Sequence, residues 1–209
     1  QTLTIGRGPD ANITSIDAAI TTFSGFTTFK VCSNNQSATI SFINQSTTTA
    51  TNTNYQIIWG DGSTAFSSST FTPSPLTHTY AIGTYTLTHI VSSATCTDTT
   101  RYIVFIGSNP VIGITNPGGT EICSGSSLTF PLNYVNGQGV TNTPGTQYTV
   151  TVNDGSADVT FEHPSTGTPP PSVTHLFGTT SCGVQSLSYD NSFYVKITAT
   201  NPCGTSSGY

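Results

Sequence analysis

The strongest constraint on the fold is an internal repeat, in which the same anchor residues follow one another in both halves of the chain. Each half carries a cysteine, then an Asp-Gly-Ser turn, then a Thr-His pair, and later a second cysteine. Cys32 precedes Asp61 by 29 positions and Cys123 precedes Asp154 by 31, so the intervals are nearly equal. A chain of 209 residues that repeats itself once is expected to form two small domains of the same type.

The residues between the anchors favour β-strands over helices. Thr, Val, Ile, Tyr and Phe dominate there, and β-branched and aromatic side chains suit a half-buried, pleated surface. Asp61-Gly62 predicts a tight hairpin turn. Helix is predicted only as a short turn at 15–20. Alternation of period two predicts strands at 39–43, 55–59, 83–91 and 101–106, and again at 128–132, 147–152 and 193–199.

Short strands, regular turns and a cysteine near each edge of the repeat predict an all-β fold of two tandem Ig-like β-sandwiches. We place the first module at residues 23–108 and the second at 109–209, after a junction rich in Pro and Gly. Residues 1–22 are expected to lead into the first module or to pack on it. The last strand is expected to be cut short at Tyr209, so we interpret the chain as a piece of a longer protein.

Charge and composition limit the binding partners and the cellular compartment expected for the chain. Four Lys and Arg stand against nine Asp and Glu, so no basic face is available for nucleic acid. No apolar run approaches the roughly 20 residues of a membrane-spanning helix, so membrane insertion is not expected. Five cysteines in a chain rich in Ser and Thr are typical of an oxidising, extracellular compartment. We expect that a leader peptide was removed, since residues 1–5 lack its basic and apolar regions.

Three runs in the first repeat together resemble the signature of PKD (polycystic kidney disease) domains. They are Trp-Gly-Asp-Gly-Ser at 59–63, Leu-Thr-His-Thr-Tyr at 76–80 and Gly-Thr-Tyr-Thr-Leu at 83–87. The second repeat is a looser match, because Val152 stands where the family has Trp or Phe. The resemblance identifies eight motif residues: Trp59, Asp61, Gly62, His78, Tyr80, Asp154, Gly155 and His175.

The segments that flank the cysteines suggest a subgroup of this family. Residues 28–32, 104–110 and 200–204 are similar to PKD-like modules of Bacteroidetes surface proteins exported by type IX secretion, including gliding-motility adhesins. This resemblance implies a non-catalytic segment of a bacterial cell-surface adhesin. Thr99, in Asp98-Thr99-Thr100, resembles the O-glycosylation acceptor of that phylum.

The cysteines are expected to close each module. If each repeat is a sandwich, the symmetric pairs are Cys32 with Cys96 and Cys123 with Cys203, and both would be structural disulfides. Cys182 is then left over in a polar insertion. An exchange that pairs Cys182 with Cys203 or Cys123 stays open, because connectivity cannot be deduced from sequence.

Candidate reactive residues have structural interpretations. An Asp-Gly turn uses its carboxylate to bond nearby backbone amides, which accounts for Asp61 and Asp154 without a metal. His78 and His175 occupy matching positions before an aromatic residue, so we interpret them as packing residues at a sandwich corner. The sequence contains no nucleophile, zinc or phosphate-loop motif. We therefore expect neither an enzyme nor a cofactor.

Two functions are compatible with these sequence features. The first is a spacer or adhesive unit that acts as a monomeric segment of a longer chain and meets a surface polysaccharide or another cell-surface ligand. The alternative is a carbohydrate-binding or spacer module of a secreted hydrolase. That alternative needs exposed, coplanar aromatic side chains, for which the candidates are Tyr55, Tyr134, Tyr148 and Tyr189.

Overall fold

The computed structural model describes residues 8–135 and 141–209, and the regular elements in these residues are β-strands. The chain divides into two compact units, of which the first ends at Gly107 and the second runs from Ser108 to Tyr209. Residues 1–7 of the predicted N-terminal segment lie outside the described residues.

The first unit is a sandwich of two sheets, of three and six strands. The smaller has the order β1-β4-β7 and the larger β2-β3-β9-β8-β5-β6. All pairs are antiparallel except β3 with β9. The strands are β1 (Ile13–Ser15), β2 (Ala19–Phe23), β3 (Phe26–Cys32), β4 (Ser37–Asn44), β5 (Asn52–Ile58), β6 (Phe66–Ser68), β7 (Leu76–Ala81), β8 (Gly83–Ser93) and β9 (Thr97–Gly107).

Alternate side chains from the two sheets of this unit meet in one hydrophobic core. The smaller sheet contributes Ile40 and Phe42, and the larger contributes Ile57, Leu87 and Val104, all fully buried. Burial of side chains of this size stabilises the sandwich by roughly 1.5–3 kcal/mol each. The period-two pattern of the sequence therefore marks the inward face of each strand.

The second unit repeats the sandwich on a smaller scale. Its sheets have the orders β10-β11-β14 and β13-β12-β17-β18, and β15 and β16 form a separate pair. The strands are β10 (Gly113–Ile114), β11 (Ser126–Asn133), β12 (Gln147–Val152), β13 (Val159–Glu162), β14 (Ser172–Phe177), β15 (Gln185–Ser186), β16 (Tyr189–Asp190), β17 (Val195–Asn201) and β18 (Gly204–Gly208).

The strands of the two units pair in equivalent registers. His78 pairs with Ile40 in the first unit, and His175 pairs with Leu128 in the second. In the same way β5 and β8 correspond to β12 and β17, with buried tyrosines, Tyr55 and Tyr148, at matching positions. The predicted fold of two tandem Ig-like β-sandwiches is confirmed.

The helical turn predicted at 15–20 is wrong. Ser15 ends β1, residues 16–18 form a bend, and β2 begins at Ala19. Both oxygens of Asp17 accept from the Ser41 amide, at 3.0 and 3.1 Å, and the Ser15 hydroxyl donates to the same carboxylate at 2.9 Å. These bonds hold the segment against β4, so the chain can pass from one sheet to the other.

Candidate functional site

The motif residues of the first unit meet at a corner where the two sheets approach each other. The turn after β5 places Asp61 so that its Oδ1 accepts from the Ser63 amide at 3.0 Å. Its Oδ2 lies 2.8 Å from Nε2 of His78, which belongs to β7 in the opposite sheet. The Asp61–His78 contact therefore ties one sheet to the other.

The backbone of this turn needs glycine. Gly60 has φ of +86°, and a Cβ there would lie 2.3 Å from the Thr86 carbonyl oxygen on β8. Gly62 also has positive φ, +84°, but faces open space. The first glycine therefore allows a close approach between chain segments, whereas the second only permits the left-handed conformation.

Aromatic stacking completes the first corner. The Trp59 ring lies parallel to the His78 ring with centroids 4.1 Å apart. The Tyr80 hydroxyl donates to the Trp59 carbonyl oxygen at 3.2 Å, and the Tyr80 ring is fully buried. The structure thus brings together Trp59, Asp61, His78 and Tyr80, which are up to 21 positions apart in sequence.

The second unit builds the same corner with one difference. Asp154 Oδ2 lies 2.7 Å from His175 Nε2, and the Ser156 amide donates to Asp154 Oδ1 at 3.0 Å. Gly155 supplies the positive φ, +87°. The rings of His175 and Phe177 meet edge to face, with their centroids 4.7 Å apart. Val152 stands where the first unit has Trp59, so no aromatic ring stacks in parallel on His175 as Trp59 does on His78.

Hydrogen bonds keep both corner carboxylates ionised. Partial burial opposes the charge of Asp61 and would raise its pKa, but hydrogen bonds from Ser63 and His78 outweigh burial and lower the pKa to about 2. The same balance, with donors from Ser156 and His175, lowers the pKa of Asp154 to about 2. Neither carboxyl group is therefore protonated near neutral pH, as a general acid would have to be.

The first corner has the three residue types of a catalytic triad, in Ser63, His78 and Asp61, but it does not have the geometry of a triad. In a triad, the serine and the carboxylate bind different nitrogens of the imidazole. Here Ser63 Oγ, at 3.3 Å, and Asp61 Oδ2, at 2.8 Å, approach the same nitrogen, Nε2. The serine hydroxyl also donates to Asp61 Oδ1. This arrangement fastens a turn and does not activate a nucleophile.

Metal ligands do not accumulate at the corners. Within residues 8–135 and 141–209, no group of three or more His, Cys, Asp or Glu side chains could hold an ion.

The predicted disulfides Cys32–Cys96 and Cys123–Cys203 are wrong. Cys96, Cys123 and Cys182 carry free, exposed thiols, whereas Cys32 and Cys203 are disulfide-bonded. The presence of disulfide-bonded cysteines fits an extracellular protein.

Strand length explains why the first of these pairs cannot form. Cys32 pairs with Gly107 at the end of β9, whereas Cys96 precedes the start of that strand. β9 has 11 residues, so at about 3.3 Å per residue its ends lie roughly 30 Å apart. Disulfides join Cα atoms within about 7 Å.

The second predicted pair fails for a similar reason. Cys123 precedes β11 at the end of the sandwich that carries His175 and Asp154. Cys203 lies in the turn between β17 and β18, next to Asn201. These positions are at opposite ends of β17, which begins beside Val152 in the Asp154 corner.

Three of the four tyrosines proposed for sugar stacking are unavailable. Tyr55 and Tyr148 lie in the two cores, Tyr134 is buried against Tyr148, and only Tyr189 is exposed. These residues therefore form no common platform.

Thr99 is exposed on β9, and its modification stays a prediction. Its neighbour Asp98 has a structural contact, since Asp98 Oδ2 accepts from the Ala11 amide at 2.8 Å.

The second unit also contains a groove that sequence reasoning missed. Its volume is about 1390 Å³. Apolar side chains from both sheets line it, and the two free cysteines of this unit, Cys123 and Cys182, lie at its rim. No motif in the sequence signals this groove, because its lining residues come together only when the two sheets pack. The apolar lining includes Leu128, Phe130, Phe177, Phe193 and Val195.

Comparison with known proteins supports no family assignment. The sequence matches no family model and no curated protein. Among solved structures, it is similar to the FN1–FN3 domains of chicken CNTN1, with 10% identity and a TM-score of 0.28 over 87% of this chain and 60% of that one. It is also similar to the four N-terminal Ig domains of Dscam1 isoform 8.4, with 11% identity and a TM-score of 0.38 over 99% of this chain and 46% of that one.

The chain spans about half the length of these two structures. At such low identities and scores, the fold assignment rests on the strand pairing described above. In the described residues, no helix is long and apolar enough to cross a membrane.

Proposed function

We propose that the chain is a non-catalytic, extracellular, modular segment of a bacterial cell-surface adhesin, in which the sandwiches act as spacer or adhesive units. The observation that carries this proposal is the repeated corner. Both units use an Asp–His contact to hold sheet to sheet, and in the first unit the neighbouring serine is bonded to the carboxylate. A feature built twice for the same mechanical purpose suits a load-bearing module.

The surface chemistry supports the same proposal. Only 6% of the residues are charged. Threonine hydroxyl groups on neighbouring strands form hydrogen bonds with each other instead. The Oγ1 atoms of Thr39 and Thr79 are 2.7 Å apart, and those of Thr129 and Thr174 are 2.8 Å apart. Such faces are polar but uncharged, so their contacts depend little on ionic strength. Weak adhesion through many modules would then be insensitive to salt.

The finer assignment follows from the sequence resemblance. We propose that the modules are PKD-like domains of a Bacteroidetes protein exported by type IX secretion, similar to the gliding-motility adhesin SprB. Their partner in this proposal is a surface polysaccharide or another cell-surface ligand.

Replacement of the segment within its parent gene tests the function. Deleting these residues should reduce attachment of whole cells to a surface, and an unrelated tandem Ig-like pair of equal length should restore attachment if the segment is a spacer. If the segment is adhesive, the replacement should fail as the deletion does. Antibodies against the segment should label intact cells. Normal attachment after deletion, or absence of labelling, would refute the proposal.

A further inference from the structure

The second unit contains three cysteines, of which two carry free thiols at one groove. Cys203 is disulfide-bonded, whereas Cys123 and Cys182 are free and exposed. Both free cysteines line the groove described above. The sequence left Cys182 with two alternative partners, Cys203 and Cys123, and the bonded state of Cys203 removes the first. The remaining pair is exposed in a protein whose bonded cysteines fit an oxidising, extracellular compartment.

Cys123 stands in a turn that is hydrogen-bonded to the end of β14. The Ser126 amide donates to the Cys123 carbonyl oxygen at 3.1 Å and closes the turn, and the Gly125 amide donates to the Phe177 carbonyl oxygen at 2.7 Å. Phe177 is the last residue of β14, and it also lines the groove. The turn that carries Cys123 therefore lies where β14 ends at the groove.

Cys182 lies at the same groove, in the polar insertion between β14 and β17. Both of its neighbours bond to one residue, because the Ser181 hydroxyl donates to the Asn191 carbonyl oxygen at 2.6 Å and the Gly183 amide donates to Asn191 Oδ1 at 2.7 Å. Two positions later, the ring of Phe193 stacks on the ring that ends β14, with centroids 6.0 Å apart. A short series of contacts therefore connects the two cysteines through the end of β14.

Both cysteines belong to segments that can adjust their position. Residues 118–125 before β11 and residues 178–180, 182 and 183 after β14 are exposed and belong to no strand. Segments with few buried contacts open and close with a small change in free energy. A disulfide requires Cα atoms within about 7 Å of each other. The two segments can approach to that distance across the groove while both sheets keep their pairing.

We propose that Cys123 and Cys182 form a dithiol–disulfide couple that closes the rim of the groove when it is oxidised. The oxidant is a small disulfide, R–S–S–R. One cysteine thiolate attacks a sulfur of the oxidant and displaces R–S⁻, and the second thiolate then attacks the sulfur of the first cysteine and displaces the other R–S⁻. The couple loses two protons and two electrons, and the oxidant becomes two thiols.

The two redox states differ in what holds the insertion. In the dithiol form, which is the form of the structure, residues 178–183 are attached through hydrogen bonds to Asn191. In the disulfide form, a covalent bond would join this segment to the turn before β11, across the groove. The inference concerns the second unit alone and does not depend on the adhesin proposal.

Oxidation of the full chain with glutathione disulfide tests the pairing. The products are quenched with acid, digested with pepsin without reduction, and mapped by mass spectrometry. The folded chain should yield Cys123 linked to Cys182, with glutathione on Cys96. The same oxidation in concentrated urea is the control for the fold. Cys96 and Cys123 are 27 positions apart and Cys123 and Cys182 are 59 apart, so loop closure in the unfolded chain favours the first pair.

Serine variants separate pairing from the reactivity of single thiols. In Cys123→Ser and in Cys182→Ser, the remaining cysteine of the couple should carry glutathione. The matched control Cys96→Ser should keep the link. Glutathione on both cysteines of the folded wild-type chain, or a link between Cys96 and Cys123, would overturn the proposal.

Hydrogen exchange tests the closure of the rim. Amides of residues 178–183 should exchange at least about tenfold more slowly in the oxidised chain than in the untreated chain. Neither Cys123→Ser nor Cys182→Ser should show this protection after the same oxidation. A linked pair whose segment exchanges as fast as in the untreated chain would refute closure of the groove.

Discussion

Acid should weaken both sandwiches through their corner carboxylates. Asp61 and Asp154 have pKa values of about 2 in the folded chain, against 3.8 for an unperturbed aspartate. A group whose folded pKa is depressed contributes stability above its unfolded pKa and loses it as the pH falls through the folded value. The stabilisation should therefore be complete above about pH 5 and should disappear between pH 4 and pH 2.

The magnitude follows from the shift and from the position of the corners. A shift of nearly two pKa units would correspond to about 2.5 kcal/mol for each carboxylate. Solvent reaches the Asp61–His78 pair, whose side chains are each 16% exposed, and screening there reduces the contribution. We expect about 1 kcal/mol from Asp61. Asp154 should contribute at least as much, since its side chain is only 3% exposed and is screened less.

Urea unfolding at pH 5 and pH 2.5 measures this effect. Trp59, the only tryptophan, stacks on His78, so its fluorescence follows the first corner directly. Asp61→Asn should lower the free energy of unfolding by about 1 kcal/mol at pH 5 and should have little effect at pH 2.5. The exposed Asp158 is a control, and Asp158→Asn should keep the wild-type pH dependence. A loss for Asp61→Asn of the same size at both pH values would refute the reasoning.

Three further outcomes are expected. Burial lowers the pKa of His89, whose Nε2 has no hydrogen-bond partner among the described atoms, so the first unit should lose stability as the pH falls through about 6.5; His89→Ile should flatten unfolding curves between pH 7.5 and 5.5, and an unchanged slope would contradict this. In thermal unfolding, Gly60→Ala should lower the free energy of unfolding by roughly 1–2 kcal/mol more than Gly62→Ala, because only a Cβ at position 60 would collide with a backbone carbonyl. Equal losses for the two variants would show that the close approach of residue 60 to β8 does not matter for stability. Iodoacetamide should label the three free cysteines of the native chain and reach the two bonded ones only after reduction, as peptide mass spectrometry would show; protection of all five cysteines would rule out the free thiols.

Local pattern was sufficient to predict seven of the eighteen described strands, namely β4, β5, β8, β9, β11, β12 and β17. The predicted strand at 147–152 has the bounds of β12, while β17 begins two residues later than predicted because Phe193 and Tyr194 precede the ladder with β12. The bend at 16–18 escaped prediction, since the bonds that hold Asp17 come from Ser41, 24 positions away.

The candidate site was only partly visible in the sequence. The matching spacing of Asp61 with His78 and of Asp154 with His175 predicted two equivalent positions, and the structure places each pair in hydrogen-bond contact. The sequence did not show that these contacts join opposite sheets, because the sheet to which a strand belongs depends on its neighbours in space.

The sequence by itself determined the all-β class, the duplication and the turn chemistry, because alternation of side chains and the φ of glycine act over a few residues. Tertiary structure alone decided the bonding of the cysteines, the burial of Tyr55 and Tyr148, and the open groove beside β17. Each of these depends on distances between segments far apart in the chain, and those distances are set by strand length, strand direction and the packing of one sheet on the other.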